Sequence, residues 1–236
     1  MTFPVRLNKY LADQKIASRR EADTLIEKRQ VKVNGKIAVL GQIIEEDDKV
    51  EVVGKTKDYV YLAYYKGRGI ITHSPTNQEV DIATRLKNDH NLSNVAPVGR
   101  LDKESEGLLI LSNDGRLTGP LLAPEAGHEK EYEVTVDKNV TGMFCTLMSL
   151  GVDIEGYKTK PAVCTADPRN TKRFRLILSE GKKHQIRRMC AALGFQIKSL
   201  KRTRIMNIKL GGIKPNQYRK LTKVEESKLL ADLGLA

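Results

Sequence analysis

Tryptophan is absent from this chain of 236 residues, phenylalanine occurs four times and cysteine three times. Cys145, Cys164 and Cys190 are odd in number and widely separated, which excludes a disulfide framework and suits a reducing cytoplasm. The four histidines (His73, His90, His128 and His184) are equally scattered, so no zinc spacing exists and no metal is expected. No apolar run reaches the length of a membrane span, and Pro4 and Arg6 interrupt any signal-like start. A soluble cytoplasmic protein without membrane attachment is the expectation. The glycine fingerprint of a nucleotide-binding loop is missing as well, so no cofactor is anticipated. There is no internal repeat and no low-complexity segment.

What the chain does have is core material and positive charge. Hydrophobic residues make up 40% and charged residues 30%, the balance of a globular protein. Lys and Arg number 41 against 29 Asp and Glu, a formal charge of +12. The excess is concentrated: Lys172 to Lys220 holds 15 basic residues and a single acid, Glu180, leaving the rest of the chain slightly negative. Such clustering points to a polyanionic partner, because each cation placed on a phosphate releases condensed counterions.

The first fifty residues read as a separate unit. Leu7 and Leu11 share one face of a short helix, and Ser18-Arg19-Arg20-Glu21 forms a capping box ahead of the apolar stripe Ala22, Leu25, Ile26. Val31 and Val33 alternate as in a strand, Asn34-Gly35 supplies a tight turn, and Val50 with Val52 suggests a closing strand. Arg6, Lys9, Arg19, Arg20, Lys28, Arg29, Lys32 and Lys36 surround this small core. The runs Arg6–Lys9, Ser18–Ala22 and Val31–Lys36 resemble the S-four RNA-binding module, which implies that the capped helix and the following turn present cations to RNA. One departure is Arg29, where that family has Gly just past the helix. A left-handed Arg there costs about 1 kcal/mol, so a local change at the helix end is expected.

Residues 53–58 read as a linker, and 59–236 as a second domain. Strands are expected over Tyr59–Tyr65, Leu108–Leu111, Tyr132–Val136 and Phe174–Leu178. Helices are expected over Val80–Leu86, Thr141–Leu150 and Lys183–Leu193, with Gly151 and Gly194 as stops, and a last helix starts at the capping box Thr222 to Glu225. The fold class is therefore α+β, with a mixed, largely antiparallel sheet flanked by helices.

The most informative segment runs from Gly99-Arg100-Leu101-Asp102-Lys103-Glu104-Ser105-Glu106-Gly107 into Leu108–Gly115, a polar loop leading to a buried strand. An isolated Asp in such a loop is more often a structural ion-pair partner than a catalyst. The whole string, however, closely resembles the signature of the RsuA-type pseudouridine synthases, which modify ribosomal RNA. That resemblance implies Asp102 as catalytic carboxylate. It also implies Tyr132, in Glu129-Lys130-Glu131-Tyr132, as the aromatic beside the target base. In Gly181–Met189 it implies Arg187 as the partner of Asp102. Arg100, Lys130 and, more loosely, Leu200 would contact the uridine. Arg6, Lys9, Arg19, Arg20, Lys32, Lys36, Lys183, Arg188, Arg202 and Arg204 would contact RNA. The segments Glu129–Tyr132 and Leu200–Asn207 most resemble the branch of large ribosomal subunit pseudouridine synthase F. Departures lie at Gly67, where the family has Pro, and at His184, where it has Arg.

The implied reaction moves no electrons between molecules and so fits the lack of a cofactor motif. Ribosomal RNA or a ribosomal assembly intermediate would be the partner, and a monomer is the default. The rival reading is a non-catalytic RNA-binding assembly factor. It would keep the basic tract but have no need of Asp102, Tyr132 and Arg187 together.

Overall fold

A computed structural model describes residues 2–54, 58–73 and 80–235. Strand β1 (Val5–Arg6) runs directly into helix α1 (Leu7–Asp13), whose Leu7 and Leu11 point inward. Helix α2 (Arg19–Glu27) starts at the expected box. Ser18 Oγ accepts from the Glu21 amide, and the Glu21 carboxylate accepts from the Ser18 amide. Two otherwise orphaned amides are thus satisfied, which fixes the first turn. At the far end Arg29 is left-handed, with φ 58°. The helix closes as it would around Gly, so the local change expected there is not found and the conformational cost is retained. Strands β2 (Val31–Val33), β3 (Lys36–Ile37), β4 (Ile43–Ile44) and β5 (Val50–Val52) complete the module. β2 pairs with β3 through the Asn34–Gly35 turn and with β5, while β1 pairs with β4. Leu7, Leu11, Ala22, Ile26, Val31 and Ile44 form its core.

The module rests on the second domain near its C-terminal helix. Lys15 Nζ donates to the carbonyls of Leu233 (3.4 Å) and Gly234 (3.1 Å). A Cβ at position 115 would overlap the Ser18 side chain, so Gly115 permits the close approach. Of the expected linker, residues 55–57 lie outside the described residues, and Val53 still donates to the Gln30 carbonyl.

The second domain contains β6 (Tyr61–Lys66), α3 (Ile82–His90), β7 (Ala96–Val98), β8 (Glu106–Ser112), α4 (Thr118–Leu122), β9 (Lys130–Val136) and α5 (Gly142–Leu150). After these come β10 (Val163–Ala166), β11 (Arg173–Leu178), α6 (Gln185–Ala192), β12 (Ile197–Ile205), β13 (Ile208–Lys209), β14 (Tyr218–Lys220) and α7 (Lys223–Asp232). The sheet order is β10-β11-β9-β12-β8-β6-β14, with β13 and β7 paired to β12 and β8. Among the described residues, only β12 and β8 run parallel, and the sheet is otherwise antiparallel. Leu62, Tyr64, Leu109 and Leu111 meet Ile82 and Leu86 of α3 on one face. Tyr61, Ala63, Tyr65, Leu108 and Ile110 meet Leu229 of α7 and Leu233 just past its end on the other. Cover on both faces explains why β6 and β8 read as near-continuous apolar runs rather than alternating ones. A second core lies under α5 and α6, where Phe144, Met148, Met189 and Cys190 pack on Val134, Phe174 and Leu176.

Two helices start later than the sequence suggests. α3 begins at Ile82 because Asp81 caps it, accepting from the Thr84 amide at 2.8 Å, and it continues to a left-handed Asn91. α6 begins at Gln185 because Lys182–His184 forms a turn, with His184 left-handed at φ 52°. The strand β12 was not anticipated at all, although it is the hydrogen-bonded centre of the sheet. Among the described residues, no helix is long and apolar enough to cross a membrane.

Candidate active site

A cleft with a volume of about 930 Å³ opens across the sheet between the 99–105 loop and the start of α6. Asp102, Tyr132, Arg187, Arg100, Lys130 and Leu200 all line it, so the residues expected to hold the uridine share one cavity. β9 presents Lys130, Tyr132 and Val134 on one face, and β12 brings Arg202 opposite Tyr132 and Leu200 opposite Val134. Tyr132 and Leu200 are buried in the floor, while Asp102 is partly exposed above it.

The Asp102 loop is held by side chains from several elements. Lys66 at the end of β6 is fully buried, and its ammonium donates to the carbonyls of Ser105 (2.7 Å), Gly67 (2.9 Å) and Lys103 (3.3 Å). Burial pushes the Lys66 pKa down to about 8, against the opposing pull of Asp102, Glu104 and Glu106. Thr72 Oγ1 donates to the Leu101 carbonyl and accepts from its amide. Arg202 Nε donates to the Leu108 carbonyl at 2.8 Å and Nη1 to the Arg100 carbonyl at 3.4 Å. Directly beneath, β8 approaches β12 so closely that a Cβ at Gly107 would collide with the Arg202 backbone. The loop is therefore preorganised, which is what positioning a reacting carboxylate requires.

In this structure Arg187 bonds the Asp102 loop rather than the Asp102 carboxylate itself. Arg187 Nη2 donates to the Glu104 carbonyl (3.1 Å) and Ser105 Oγ (3.3 Å), two and three residues further along the loop. The group beside Asp102 is His184, whose Nε2 lies 3.6 Å from Oδ1. The left-handed turn at His184 aims the imidazole there, while α6 carries Arg187 past it.

Three cations expected to contact RNA also bond within the protein. Arg202 is only 5% exposed and holds the two carbonyls just described. Arg204 pairs with Glu129 (2.9 Å) and Glu131 (3.3 Å). Arg188 pairs with Glu155 (2.8 Å) and donates to the Ile154 carbonyl. Lys183 is exposed on the cleft rim, and Arg6, Lys9, Arg19, Arg20 and Lys36 are exposed on the N-terminal module. Lys32 is half-buried beside Glu51.

The sequence reading missed Lys66, Thr72 and Glu180. Glu180 is buried, accepting from the Tyr157 hydroxyl (2.6 Å), the Lys160 amide (3.0 Å) and Gln185 Nε2 (2.6 Å). It ties the cleft wall to the first turn of α6. Its signal was available: it is the only acid in the basic tract.

A basic N-terminal module, a sheet with a polar cleft and a clamped Asp loop define an RNA-modifying enzyme class. Residues 60–192 match the family model described as RNA pseudouridylate synthase, and residues 5–50 match the S4 domain. The chain belongs to the RNA pseudouridine synthase family, whose members are isomerases. It is 41% identical over 227 residues to the dual-specificity RNA pseudouridine synthase RluF of Escherichia coli K12, covering 94% of this chain and 77% of that protein. It is 33% identical to the ribosomal large subunit pseudouridine synthase B of Bacillus subtilis, covering 97% and 98%. A crystal structure of a pseudouridylate synthase superposes with a TM-score of 0.70 at 29% identity, covering 95% of this chain and 99% of that one.

Proposed function

We propose that this protein isomerises one uridine of ribosomal RNA, in the large subunit, to pseudouridine, with Asp102 as the catalytic carboxylate. The observation that carries the reading is the accessible carboxylate of Asp102 on a loop clamped by Lys66, Thr72, Arg187 and Arg202, over a floor containing Tyr132 and Leu200. In this reading Tyr132 stacks on the flipped base, an interaction worth about 1–3 kcal/mol in comparable sites. Leu200 supports it from below, and Arg100 and Lys130 contact the nucleotide. Extracting the base costs a few kcal/mol, least where it is unpaired, so a looped or junction uridine is the substrate. Residues 1–52 act as the RNA-binding domain and 59–236 as the catalytic domain, joined by 53–58, in a monomer working in the cytoplasm.

The test is a pseudouridine map of ribosomal RNA from cells with and without the protein, by carbodiimide labelling and reverse transcription. Loss of one signal, restored by the wild type but not by Asp102→Asn, is the expected result. Purified Asp102→Asn should retain RNA affinity while losing all turnover. An unchanged map would favour a non-catalytic RNA-binding role in ribosome assembly.

A further inference from the structure

Two cations in the floor of the cleft have no counter-charge. Arg202 is almost wholly buried, and two of its five N–H groups bond the carbonyls of Leu108 and Arg100. Lys130 is half-buried and uses one of its three N–H groups on the His128 carbonyl, at 3.1 Å. Among the described residues, no carboxylate lies within ion-pair distance of either. Burial first, and then the charge of Arg202, lower the Lys130 pKa, so the two cations sense each other across the floor. They flank Tyr132: Lys130 precedes it on the same face of β9, and Arg202 sits opposite it on β12. Holding two unpaired cations out of water is unfavourable unless an anion arrives between them. A phosphate would meet them on the rim, whereas these lie beside the aromatic ring and Leu200.

We propose that Lys130 and Arg202 bind the uracil anion while the base is detached from its ribose. The inference rests on the synthase reading above. When the C1′–N1 bond breaks, both electrons leave with the uracil, and the charge spreads over N1, O2 and O4. The ribose is held in one of two ways: Asp102 forms an ester at C1′, or it takes a proton from C2′ to leave a glycal. The base then turns and C5 bonds to C1′, releasing Asp102 or returning the proton to C2′. Finally C5 loses its proton and N1 gains one. Atoms and electrons balance with no co-reactant, and the anion exists only between the two bond changes. Preorganised cations aimed at that charge stabilise the step without tightening substrate binding.

The test uses the RNA fragment identified by the map, in single-turnover reactions, with wild type, Lys130→Met, Lys130→Arg and Arg202→Lys. Lys130→Met is the primary variant because Arg202 also holds the catalytic loop. It should slow uridine consumption about 100-fold, while RNA affinity falls far less and the melting temperature is unchanged, and Lys130→Arg should recover most of the loss. The same fragment with 5-fluorouridine at the target supplies the decisive readout. Fluorine stabilises the uracil anion and leaves C5 no proton to lose, so the reaction stops once C5 bonds to C1′; consumption of the target nucleoside is still read, and the deficit of Lys130→Met should shrink by about tenfold or more. Equal deficits for both bases, or a loss confined to affinity, would overturn the assignment while leaving the synthase reading intact. A wild type that consumes no uridine in any fragment would sink both.

Discussion

The arginines of the N-terminal module and those of the Lys172–Lys220 tract behave oppositely. In the module, Arg6, Arg19, Arg20 and Arg29 are exposed, with no protein partner among the described residues. In the tract, all seven arginines bond within the protein. Arg173 pairs with Asp167, Arg175 with Glu131, Arg188 with Glu155, Arg204 with Glu129 and Glu131, and Arg219 with Glu225. Arg187 and Arg202 hold the Asp102 loop. The planar guanidinium fork suits fixed carboxylates and carbonyls, so arginines inside a sheet become structural while those on a small exposed helix remain available. Charge density along a sequence thus measures how many cations exist, not how many are free.

Replacing Arg6, Lys9 and Arg19 together with Ala should break the comparison most visibly. At physiological salt, RNA affinity should fall about 100-fold, and the exponent of the salt dependence by up to about 3, with melting unchanged. Filter binding across a salt series measures both; an unaltered exponent would mean these cations touch no phosphate. Arg204→Ala should do the reverse, lowering stability by about 2 kcal/mol because Glu129 loses its partner and Glu131 keeps only Arg175, at 3.9 Å, while leaving the salt exponent unchanged. Urea melts beside the same binding series decide it.

Lys66 sharpens the contrast as a buried cation held by carbonyls alone. Its folded pKa of about 8 lies below the ordinary 10.5, so between these values the unfolded chain binds more protons. The folded state is then favoured progressively as pH rises, by about 1 kcal/mol from pH 8 to pH 9. The difference between wild-type and Lys66→Met melts should show this rise. A difference that stays flat across that range would contradict the depressed pKa.

What could be read directly from the sequence was local. Both capping boxes, the Asn34–Gly35 turn, the buried β8 and the loop around Asp102 depend on residues close together in the chain. β12 escaped because its inward positions include Arg202, and because register shifts between Ile197 and Ser199 and between Arg202 and Arg204 break its period of two. That His184 lies beside Asp102 was not legible, because it depends on how α6 enters the cleft, which a left-handed His184 decides. Lys66 and Glu180 were overlooked because burial of a charge is a property of the folded sheet.

The position of β12 in the sheet also sets an order of assembly. It is the strand that joins β9 to β8, and through Arg202 it braces the segment bearing Asp102. A nascent chain that has not yet emerged past Ile205 holds two half-sheets with no strand between them. Its Asp102 loop lacks one of its clamps, although the loop itself left the ribosome about a hundred residues earlier. Bracing of the Asp102 loop therefore comes only after β12 has been made.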